Sequence, residues 1–336
     1  MLVEVIAPNR IDLAGGTTDL YPVYLFMDGG FTVNASISVK SFATIQTLDI
    51  PEIRISSVDL GETAVLGLHD DWEPKGPLSL AMKALKAFPP ACGLEIVTKN
   101  DAPAGSGLGA SSALLIALTL GLEKIRTDGW SKSQIIHHAA DVETGLIGVP
   151  AGKQDHIAAL YGGVSYIEFG FTGFVRRGCA SPEVVNSVLE EMIVLSYTGE
   201  GRFSGMNNWD ITRNVIEKTG DVKQKLIESR DIASNMATAI NERQWDEVGR
   251  LIDCEWTLRR SLAPGVSTGT IDSIMAAAKD AGALASKICG AGGGGCMISM
   301  VKQNNRARVE KAISDAGGKV IPFQIMEQGA NVTIRK

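Results

Sequence analysis

Residues 102–122 read APAGSGLGASSALLIALTLGL, a glycine- and serine-rich segment that runs directly into a nearly apolar one. Gly105, Gly107 and Gly109 permit positive φ and allow backbone N–H groups to approach a ligand closely. A helix that begins at Ala110 would add unpaired N–H donors and the positive end of its dipole. Because this helix has almost no polar face, it has to be buried on nearly all sides. The stretch therefore predicts a rigid anion site, most naturally for phosphate, at the start of a buried helix.

Two better-known phosphate patterns do not fit this loop. A Walker A loop requires GxxxxGK[ST], and no lysine follows these glycines; residues 151–154, AGKQ, lack its first glycine and its final serine or threonine. A dinucleotide fingerprint requires GxGxxG after the first strand, whereas this loop reads GxGxG about a hundred residues into the chain. Taken alone, such a loop favours a tight turn before a core helix over a ligand site.

The pattern around the loop predicts an α+β chain. Residues 2–8 and 29–49 have the composition of strands, and residues 9–22, NRIDLAGGTTDLYP, are predicted to break into a turn between them. Helices are predicted over residues 78–88, from Ala110 onward, and after Ser131, which would be the N-cap. A short helix is predicted after Pro150, three more between residue 199 and about residue 282, and a last one over residues 306–316. The 336 residues exceed the size at which one hydrophobic core stops growing. We therefore expect two domains, residues 1–187 and 188–336.

Composition and charge limit the class of partner. The net charge is -6, and no basic run offers the positive face that nucleic acid or an anionic membrane requires. The five cysteines are scattered and never spaced as CxxC, which is typical of a reducing compartment. No signal-like segment and no apolar run of about 18 residues is present, so we expect a cytoplasmic protein. Small molecules are the expected partners, and a monomer and a homodimer both stay open.

Two further glycine-rich loops and a pair of carboxylates accompany the first loop. Residues 7–19, APNRIDLAGGTTD, place Arg10 and Asp19 around a glycine pair, and residues 287–300, KICGAGGGGCMISM, contain four successive glycines. Such a density of glycine indicates close approach of a ligand or of another backbone. Glu143 and Asp155 flank a Pro/Gly loop, and one could ligate Mg²⁺ while the other accepts a proton from a hydroxyl, the division of roles that phosphoryl transfer needs.

These three loops, in this order and over essentially the whole chain, resemble the motifs of the GHMP kinase family. The resemblance implies a two-domain fold, with an N-terminal domain like ribosomal protein S5 domain 2 and a ferredoxin-like C-terminal domain. It also implies ATP and Mg²⁺ as cofactors and a sugar or sugar phosphate as substrate. Within the family, LAGGTTDL, AGKQDHIAALYGG, YTGEGR and AGALASKICGAGGGG are most similar to the D-glycero-D-manno-heptose 7-phosphate kinases. Fucokinase and galactokinase are also similar.

The resemblance assigns roles to individual residues. Asp155 matches the catalytic aspartate and Arg10 the basic residue beside it, while Ser111 and Glu143 match the magnesium ligands, with Ser112 as a rival to Ser111. The residues expected to bind ATP are Pro103, Gly105, Ser106, Gly107, Leu108, Gly109, Ala110, Ser111 and Ser112. The residues expected to bind the acceptor are Gly15, Gly16, Thr18, Asp19, Lys153, Arg202, Gly292 and Gly293.

Several positions depart from the family pattern or leave the substrate open. Gly16 replaces the glutamate of the galactokinase GEHTD motif, which favours the heptose-type branch, whereas Ser286 replaces a glycine of that branch. A second substrate phosphate could be bound by a residue drawn from Arg202, Ser204, Arg259 and Arg260. Two alternatives remain: a mevalonate-type kinase, and a sensor that binds sugar and ATP without turnover. We expect phosphorylation of a sugar hydroxyl, the anomeric one first, with Arg10 holding Asp155 ionised.

Overall fold

The structure is a computed structural model that describes residues 1–201 and 205–335; for residues 205–207 it describes the backbone alone. Its strands are β1 (Leu2–Ala14), β2 (Gly30–Leu48), β3 (Glu52–Ser57), β4 (Glu62–Gly67), β5 (Gly93–Asn100), β6 (Val164–Gly170), β7 (Gly173–Gly178), β8 (Ile193–Tyr197), β9 (Ala283–Ile288), β10 (Cys296–Val301), β11 (Lys319–Ile321) and β12 (Asn331–Arg335). Its helices are α1 (Ser79–Ala87), α2 (Ala110–Arg126), α3 (Lys132–Ile147), α4 (Gln154–Tyr161), α5 (Pro182–Met192), α6 (Gly205–Ile216), α7 (Val222–Asn241), α8 (Trp245–Arg260), α9 (Gly269–Asp280) and α10 (Arg306–Asp315).

A long antiparallel pair, β1 and β2, organises the larger sheet. The sheet runs β12-β1-β2-β5-β3-β4, with β6 paired to the other end of β2 and β7 to β6; all pairs are antiparallel except β3 with β5. Helix α2 packs on β1 and β2, and its residues from Ser112 to Glu123 are all buried. This burial confirms the prediction from its apolar sequence, because a helix without a polar face is stable only inside a core.

The smaller sheet lies in the C-terminal half and is wholly antiparallel. Its strand order is β11-β8-β10-β9, and the chain connects these strands as β8, helices, β9, β10, α10 and β11. That β-α-β-β-α-β succession is the ferredoxin-like arrangement. The predicted α+β class and the ferredoxin-like second half are therefore confirmed.

The glycine-rich segment at residues 7–19 differs from its prediction. Residues 9–14 continue strand β1, and the turn begins only at Gly15. Two register shifts, after Pro8 and after Asp12, let β1 follow β2 through this stretch. Arg10 thus projects from a strand, and it is 3% exposed. The polar segment 9–14, typical of a turn, is buried because β2, the phosphate loop and part of the C-terminal half cover it.

Other elements were missed or miscounted from the sequence. The hairpin β3–β4 was not predicted, nor were β7 and α5 in the glycine- and charge-rich segment near residues 170–187. Among the described residues between β8 and residue 282 there are four helices, α6 to α9, where three were expected. Among the described residues, no helix is long and apolar enough to cross a membrane.

The domain boundary at 187/188 stays a prediction. Both residues lie inside α5, and β12, near the end of the chain, pairs with β1 in the larger sheet. Helix α7 also packs on β1 and β2. The C-terminal half therefore contributes a strand and a helix to the surroundings of the first sheet.

Candidate functional site

The phosphate loop precedes α2 and has the backbone that its glycines predicted. Gly105, Gly107 and Gly109 have φ of +68°, +72° and +73°, and Gly109 is the N-cap of α2. The loop lines a cavity of about 840 Å³, into which Ser111 and Ser112 of the first helical turn also face. The helix N-terminus and the loop N–H groups thus adjoin one large cavity, as an anion site requires.

Asp155 and Arg10 meet at this cavity from different elements. Asp155 lies in the first turn of α4, and its Oδ1 accepts from Arg10 Nε and Nη2, each at 2.7 Å. Arg10 Nη1 donates to the carbonyl of Gly107, and the carbonyl of Leu108 accepts from the Arg10 backbone N–H at 3.0 Å. Arg10 therefore ties Asp155, which lies 145 residues after it in the sequence, directly to the phosphate loop.

The pKa of Asp155 lies above the ordinary value for an aspartate. Burial raises it most, Arg10 lowers it, and the nearby charge of Glu143 raises it again. Arg10 was expected to hold Asp155 ionised; it does lower this pKa, but burial outweighs the ion pair. A Cβ on Gly109 would lie 3.0 Å from Asp155 Cγ, so the carboxylate packs directly against the start of α2. A partly buried carboxylate with a raised pKa suits proton acceptance better than a fully exposed one.

Glu143 is the second carboxylate of the cavity. It projects from α3, accepts from Ser112 Oγ at 2.8 Å, and its Oε2 lies 3.2 Å from His156 Nε2. Burial raises the pKa of Glu143, but the contacts with His156, Ser112 and Ser111 outweigh burial and hold it below its ordinary value. Glu143 is therefore kept ionised beside the hydroxyl groups of α2.

The hydroxyl and carboxylate oxygens at the start of α2 fit a magnesium ion. Mg²⁺ prefers oxygen ligands and is usually held by one or two carboxylates together with substrate phosphates. Ser112 donates a hydrogen bond to Glu143. Ser111 also contacts Glu143 and is exposed at the cavity wall, so both candidate hydroxyl groups adjoin the carboxylate. Residues 1–201 and 205–335 hold no cluster of three or more His, Cys, Asp or Glu side chains that could bind a metal alone.

Asp19 lies at the same cavity, 2% exposed, and is held by the first residue of α4. Its Oδ2 accepts from the backbone N–H of Gln154 at 3.0 Å. Position 152 has to be glycine, because a Cβ there would lie 2.1 Å from Asp19 Oδ2. Burial raises the pKa of Asp19 to about 6; the hydrogen bond from Gln154 lowers it and the charge of Asp155 raises it. Asp19 and Asp155 are thus brought together, as the sequence motifs predicted.

The raised pKa of Asp19 predicts that this residue costs stability at neutral pH. The folded protein binds the proton more tightly than the unfolded chain, so the native state is disfavoured as pH rises from about 4 to about 6. We expect Asp19→Asn to raise the free energy of unfolding at pH 7.5 by about 2–3 kcal/mol. Urea unfolding at pH 4, 5, 6 and 7.5 checks this. The gain of the variant over wild type should grow with pH and level off above about 6; a gain independent of pH would contradict it.

The glycine-rich loop at 290–295 braces the phosphate loop, and of its residues Gly290 and Ala291 line the cavity. The N–H of Cys296 donates to the carbonyl of Ser106 at 2.6 Å, and a Cβ on Gly295 would lie 2.7 Å from that oxygen. A Cβ on Gly290 would lie 2.9 Å from Gly107 Cα. The predicted close approach is therefore to another backbone.

Several predicted site residues lie outside the cavity wall. Gly292 and Gly293 pack against Val266, to whose carbonyl the N–H of Gly293 donates at 2.7 Å, and their assignment to the acceptor stays a prediction. The other predicted residues absent from the wall are Gly15, Gly16, Thr18, Pro103, Leu108 and Lys153. Thr18 Oγ1 is occupied by the carbonyls of Gly15 and Phe31, and Leu108 is fully buried. Arg202 and Ser204 lie outside the described residues.

The sequence did not predict that four buried charged residues lie close together near the site. Lys287 Nζ on β9 lies 3.0 Å from Asp12 Oδ2 on β1, and both side chains are completely buried. Glu255 on α8 accepts from the backbone N–H of Gly15 at 3.2 Å and from Ser229 Oγ at 2.9 Å. Arg259 completes the group. The only sequence signal was a lysine inside the apolar strand ALASKI, which could not show its partner.

The structure separates the two arginines that were candidates for a second phosphate. Arg259 is 6% exposed, lines the cavity and donates through Nη2 to the carbonyl of Gly290 at 2.6 Å. Arg260 points away, is 48% exposed and lies 3.5 Å from Asp272. Of this pair, Arg259 is the residue at the site.

Two sequence profiles of known families match the chain. The profile described as "GHMP kinases N terminal domain" matches residues 78–163, which include the phosphate loop, Glu143 and Asp155. The profile described as "GHMP kinases C terminal" matches residues 236–319. Together they cover half of the chain. The chain belongs to the GHMP kinase family. As a member, it is a phosphotransferase with an alcohol group as acceptor.

Individual relatives of this GHMP kinase are distant in sequence but align with at least 91% of it. The D-glycero-alpha-D-manno-heptose 7-phosphate kinase of Campylobacter jejuni is 26% identical over 97% of this chain and 97% of its own length. The bifunctional fucokinase/GDP-fucose pyrophosphorylase of Arabidopsis thaliana is 26% identical over 91% of this chain, which spans only 30% of that protein. The crystal structure of a D-glycero-D-manno-heptose 1-phosphate kinase from Bacteroides thetaiotaomicron has a TM-score of 0.80 at 25% identity, with 99% of each chain covered. The family and the two-domain fold are confirmed.

Proposed function

We propose that this GHMP kinase transfers the γ-phosphate of ATP to a sugar hydroxyl, first of all the anomeric hydroxyl of a heptose 7-phosphate or a related sugar. One observation carries the proposal: Arg10 joins the partly buried carboxylate of Asp155 to the loop that precedes α2. The proton acceptor and the phosphate loop are thereby held at a fixed separation in one cavity. The likeness to heptose phosphate kinases, covering nearly all of the chain, supports the choice of acceptor.

Asp155 and Arg10 supply the acid–base part of this proposal. Both contacts of Arg10 go to Oδ1 of Asp155, which fixes the carboxylate plane and lets Oδ2 orient the attacking hydroxyl and accept its proton. The raised pKa of Asp155 brings its basicity closer to that task. Positioning and electrostatic stabilisation are the main sources of rate in phosphoryl transfer, because the loose transition state needs little covalent help.

The phosphate end of ATP is assigned to the loop and the first turn of α2. Loop N–H groups and the helix N-terminus would hold the phosphate oxygens, and Glu143 with Ser111 or Ser112 would hold Mg²⁺. When bound, the cation neutralises charge on the phosphate oxygens. His156, in contact with Glu143 and completely buried, keeps that carboxylate in place.

The adenine is assigned to the apolar part of the cavity. Pro77 and Leu80 at the start of α1, and Leu146 and Ile147 at the end of α3, line it. Glu143 lies one turn before Leu146 on the same helix, so the adenine site and the magnesium site are offset along α3. Asp19, buried in the turn that follows β1, is assigned to the sugar hydroxyl groups.

Consumption of ATP with a panel of acceptors tests this function. D-glycero-D-manno-heptose 7-phosphate is expected to give the highest kcat/KM in Mg²⁺, above fucose, galactose, mannose and mevalonate. A chemical shift change at the anomeric carbon and phosphorus identifies the position of transfer. Highest activity with mevalonate would favour the isoprenoid alternative, and binding of ATP and sugar without turnover would favour a sensor.

A further inference from the structure

A second, smaller cavity lies between α8, α9 and strand β9, and we call it the α8–α9 groove. Its volume is about 260 Å³, and none of its lining residues lines the larger cavity that holds Asp155. Helix α8 contributes Asp253, Trp256 and Arg260, whose spacing of three and four residues places them on one face of the helix. Arg259 of the same helix faces the larger cavity instead. The two cavities are therefore separate sites that share a helix.

The floor of the groove contains an open strand edge. Strand β9 is the end strand of the smaller sheet and pairs only with β10 among the described residues. The N–H of Cys289 donates to the carbonyl of the opposite residue, Cys296, at 2.8 Å, which sets the alternation of this antiparallel ladder. By that alternation the backbone N–H and C=O of Ser286 point away from β10, and no described residue bonds to them. Because Ser286 lines the groove, one donor and one acceptor of the main chain lie there without a protein partner.

Trp256 adds a side-chain donor and an apolar wall. The residue is 5% exposed, yet no residue within 1–201 and 205–335 accepts a hydrogen bond from its indole N–H. This nitrogen is not among the fully enclosed polar atoms, so a ligand in the groove can reach it. The indole N–H of a buried tryptophan usually has a partner. Met275 of α9 and the exposed Leu284 of β9 line the same groove and extend its apolar surface.

The groove carries charges of both signs. Arg260 and Asp272 lie 3.5 Å apart and pair across it, from α8 to α9. Asp253 and Lys279 each lie two turns along their helix from that pair, about 10 Å away. Both are exposed, and neither has an ion-pair partner in the part of the chain that the structure describes. One anion and one cation thus stay available at the groove, which has no net charge.

We propose that the α8–α9 groove binds a free α-amino acid with an apolar side chain. The carboxylate of such a ligand accepts from the indole N–H of Trp256 and is attracted by Lys279. Its ammonium group donates to the carbonyl of Ser286 and is attracted by Asp253. Its side chain packs on the indole ring and on the apolar residues beside it.

The size and charge of the groove favour this ligand over others. Its volume lies below the roughly 300–1,000 Å³ of pockets for drug-sized molecules, so a nucleotide does not fit. The ion pair of Arg260 with Asp272 crosses the groove and limits its length, which favours a single amino acid over an added peptide strand. A ligand with one charge would leave either Asp253 or Lys279 without a partner.

Calorimetry with the wild-type protein and matched small molecules tests this site. L-leucine, L-methionine and L-phenylalanine are the probes. 4-Methylpentanoate lacks the ammonium group of leucine, 3-methylbutylamine lacks its carboxylate, and N-acetyl-L-leucine methylamide imitates a peptide. We expect at least one of the three amino acids to bind, and the two compounds with one charged group to bind at least about 10-fold more weakly than leucine. The test needs no turnover, so its result does not depend on the proposed function.

Variants locate the ligand in the groove. Trp256→Phe keeps an aromatic ring but removes the N–H, and it should raise Kd about 10- to 100-fold, as loss of a hydrogen bond to a charged group predicts. Asp253→Asn should raise Kd about 2- to 5-fold because its charge is exposed, whereas Asp246→Asn on the same helix should match wild type. Ala276→Phe fills the groove from an exposed position on α9 and should abolish binding. Ser273→Phe, exposed on the same helix but outside the groove, is its control.

The outcomes decide the proposal even if Trp256→Phe does not fold, because Asp253 and Ala276 are exposed positions. Binding that Ala276→Phe abolishes and Ser273→Phe preserves would support it. Absence of binding by all three amino acids at about 10 mM would overturn it. Displacement of the amino acid by ATP with Mg²⁺ would place it in the larger cavity and overturn it too. Tighter binding of N-acetyl-L-leucine methylamide than of leucine would overturn it in favour of a peptide strand added to β9.

Discussion

Asp155→Asn is expected to lower kcat by about 10²- to 10⁴-fold while the affinity for ATP stays near that of wild type. Asparagine keeps the size of the side chain and an oxygen that can accept from Arg10, but it cannot take a proton from the acceptor hydroxyl. The loop and the first turn of α2, to which the ATP phosphates are assigned, are untouched by the change. Single-turnover kinetics and ATP titration by calorimetry measure the two quantities separately.

A matched variant and a pH profile make the result specific to Asp155. Asp246→Asn makes the same chemical change at a side chain that is 84% exposed on α8, and it should behave as wild type. Because burial raises the pKa of Asp155, kcat of wild type should fall on the acid side at a higher pH than an ordinary aspartate would give. Asp155→Asn should lack that limb. Near-normal turnover of the variant would remove Asp155 from the role of base.

Lys287→Met is expected to destabilise the protein by about 3–5 kcal/mol. The ion pair of Lys287 with Asp12 has no exposed surface on either side chain, and Lys287 Nζ also donates to the backbone carbonyl of Asp12 at 2.9 Å. Removal of the lysine leaves the Asp12 carboxylate buried without its nearest counter-charge. In the wild type, burial raises the pKa of Asp12, but the charges of Lys287, Arg259 and Arg10 outweigh burial and hold this pKa below its ordinary value. Urea unfolding at pH 7.5 measures the loss.

Two comparisons test whether the lost charge pairing is the cause. The double variant Asp12→Asn with Lys287→Met should be more stable than Lys287→Met alone, because no buried charge is left without a partner. Lys311→Met removes a lysine that is 75% exposed and paired with Asp315, and its stability should be close to that of wild type. A double variant less stable than Lys287→Met alone would contradict this explanation.

The site was predictable where neighbours in sequence form it. Gly105, Gly107 and Gly109 adopt positive φ and α2 begins at Ala110, because backbone freedom and helix burial follow from the residues in that one stretch. Ser131 is likewise the N-cap of α3 with a capping box, an interaction confined to four residues. Local chemistry was sufficient for these features.

The segment around Arg10 shows where local chemistry misleads. Residues 9–14 are polar enough to predict a turn, yet they extend β1 because β2, the phosphate loop and the C-terminal half all cover them. Buried polar side chains in a strand are stable only when partners elsewhere in the chain satisfy them. Those partners lie 145 residues away at Asp155 and 275 residues away at Lys287.

The sequence by itself therefore determined the family, the phosphate loop with its buried helix, and the pairing of Asp155 with Arg10 as a motif, since each is carried by residue types at short or family-specific spacing. Only the tertiary structure decided that the third glycine-rich loop braces the first, that Arg259 faces the cavity while Arg260 does not, and that Lys287 is buried against Asp12. These features depend on which faces of β1, α8 and β9 meet. That meeting is set by packing of the two halves, which no short stretch of sequence contains.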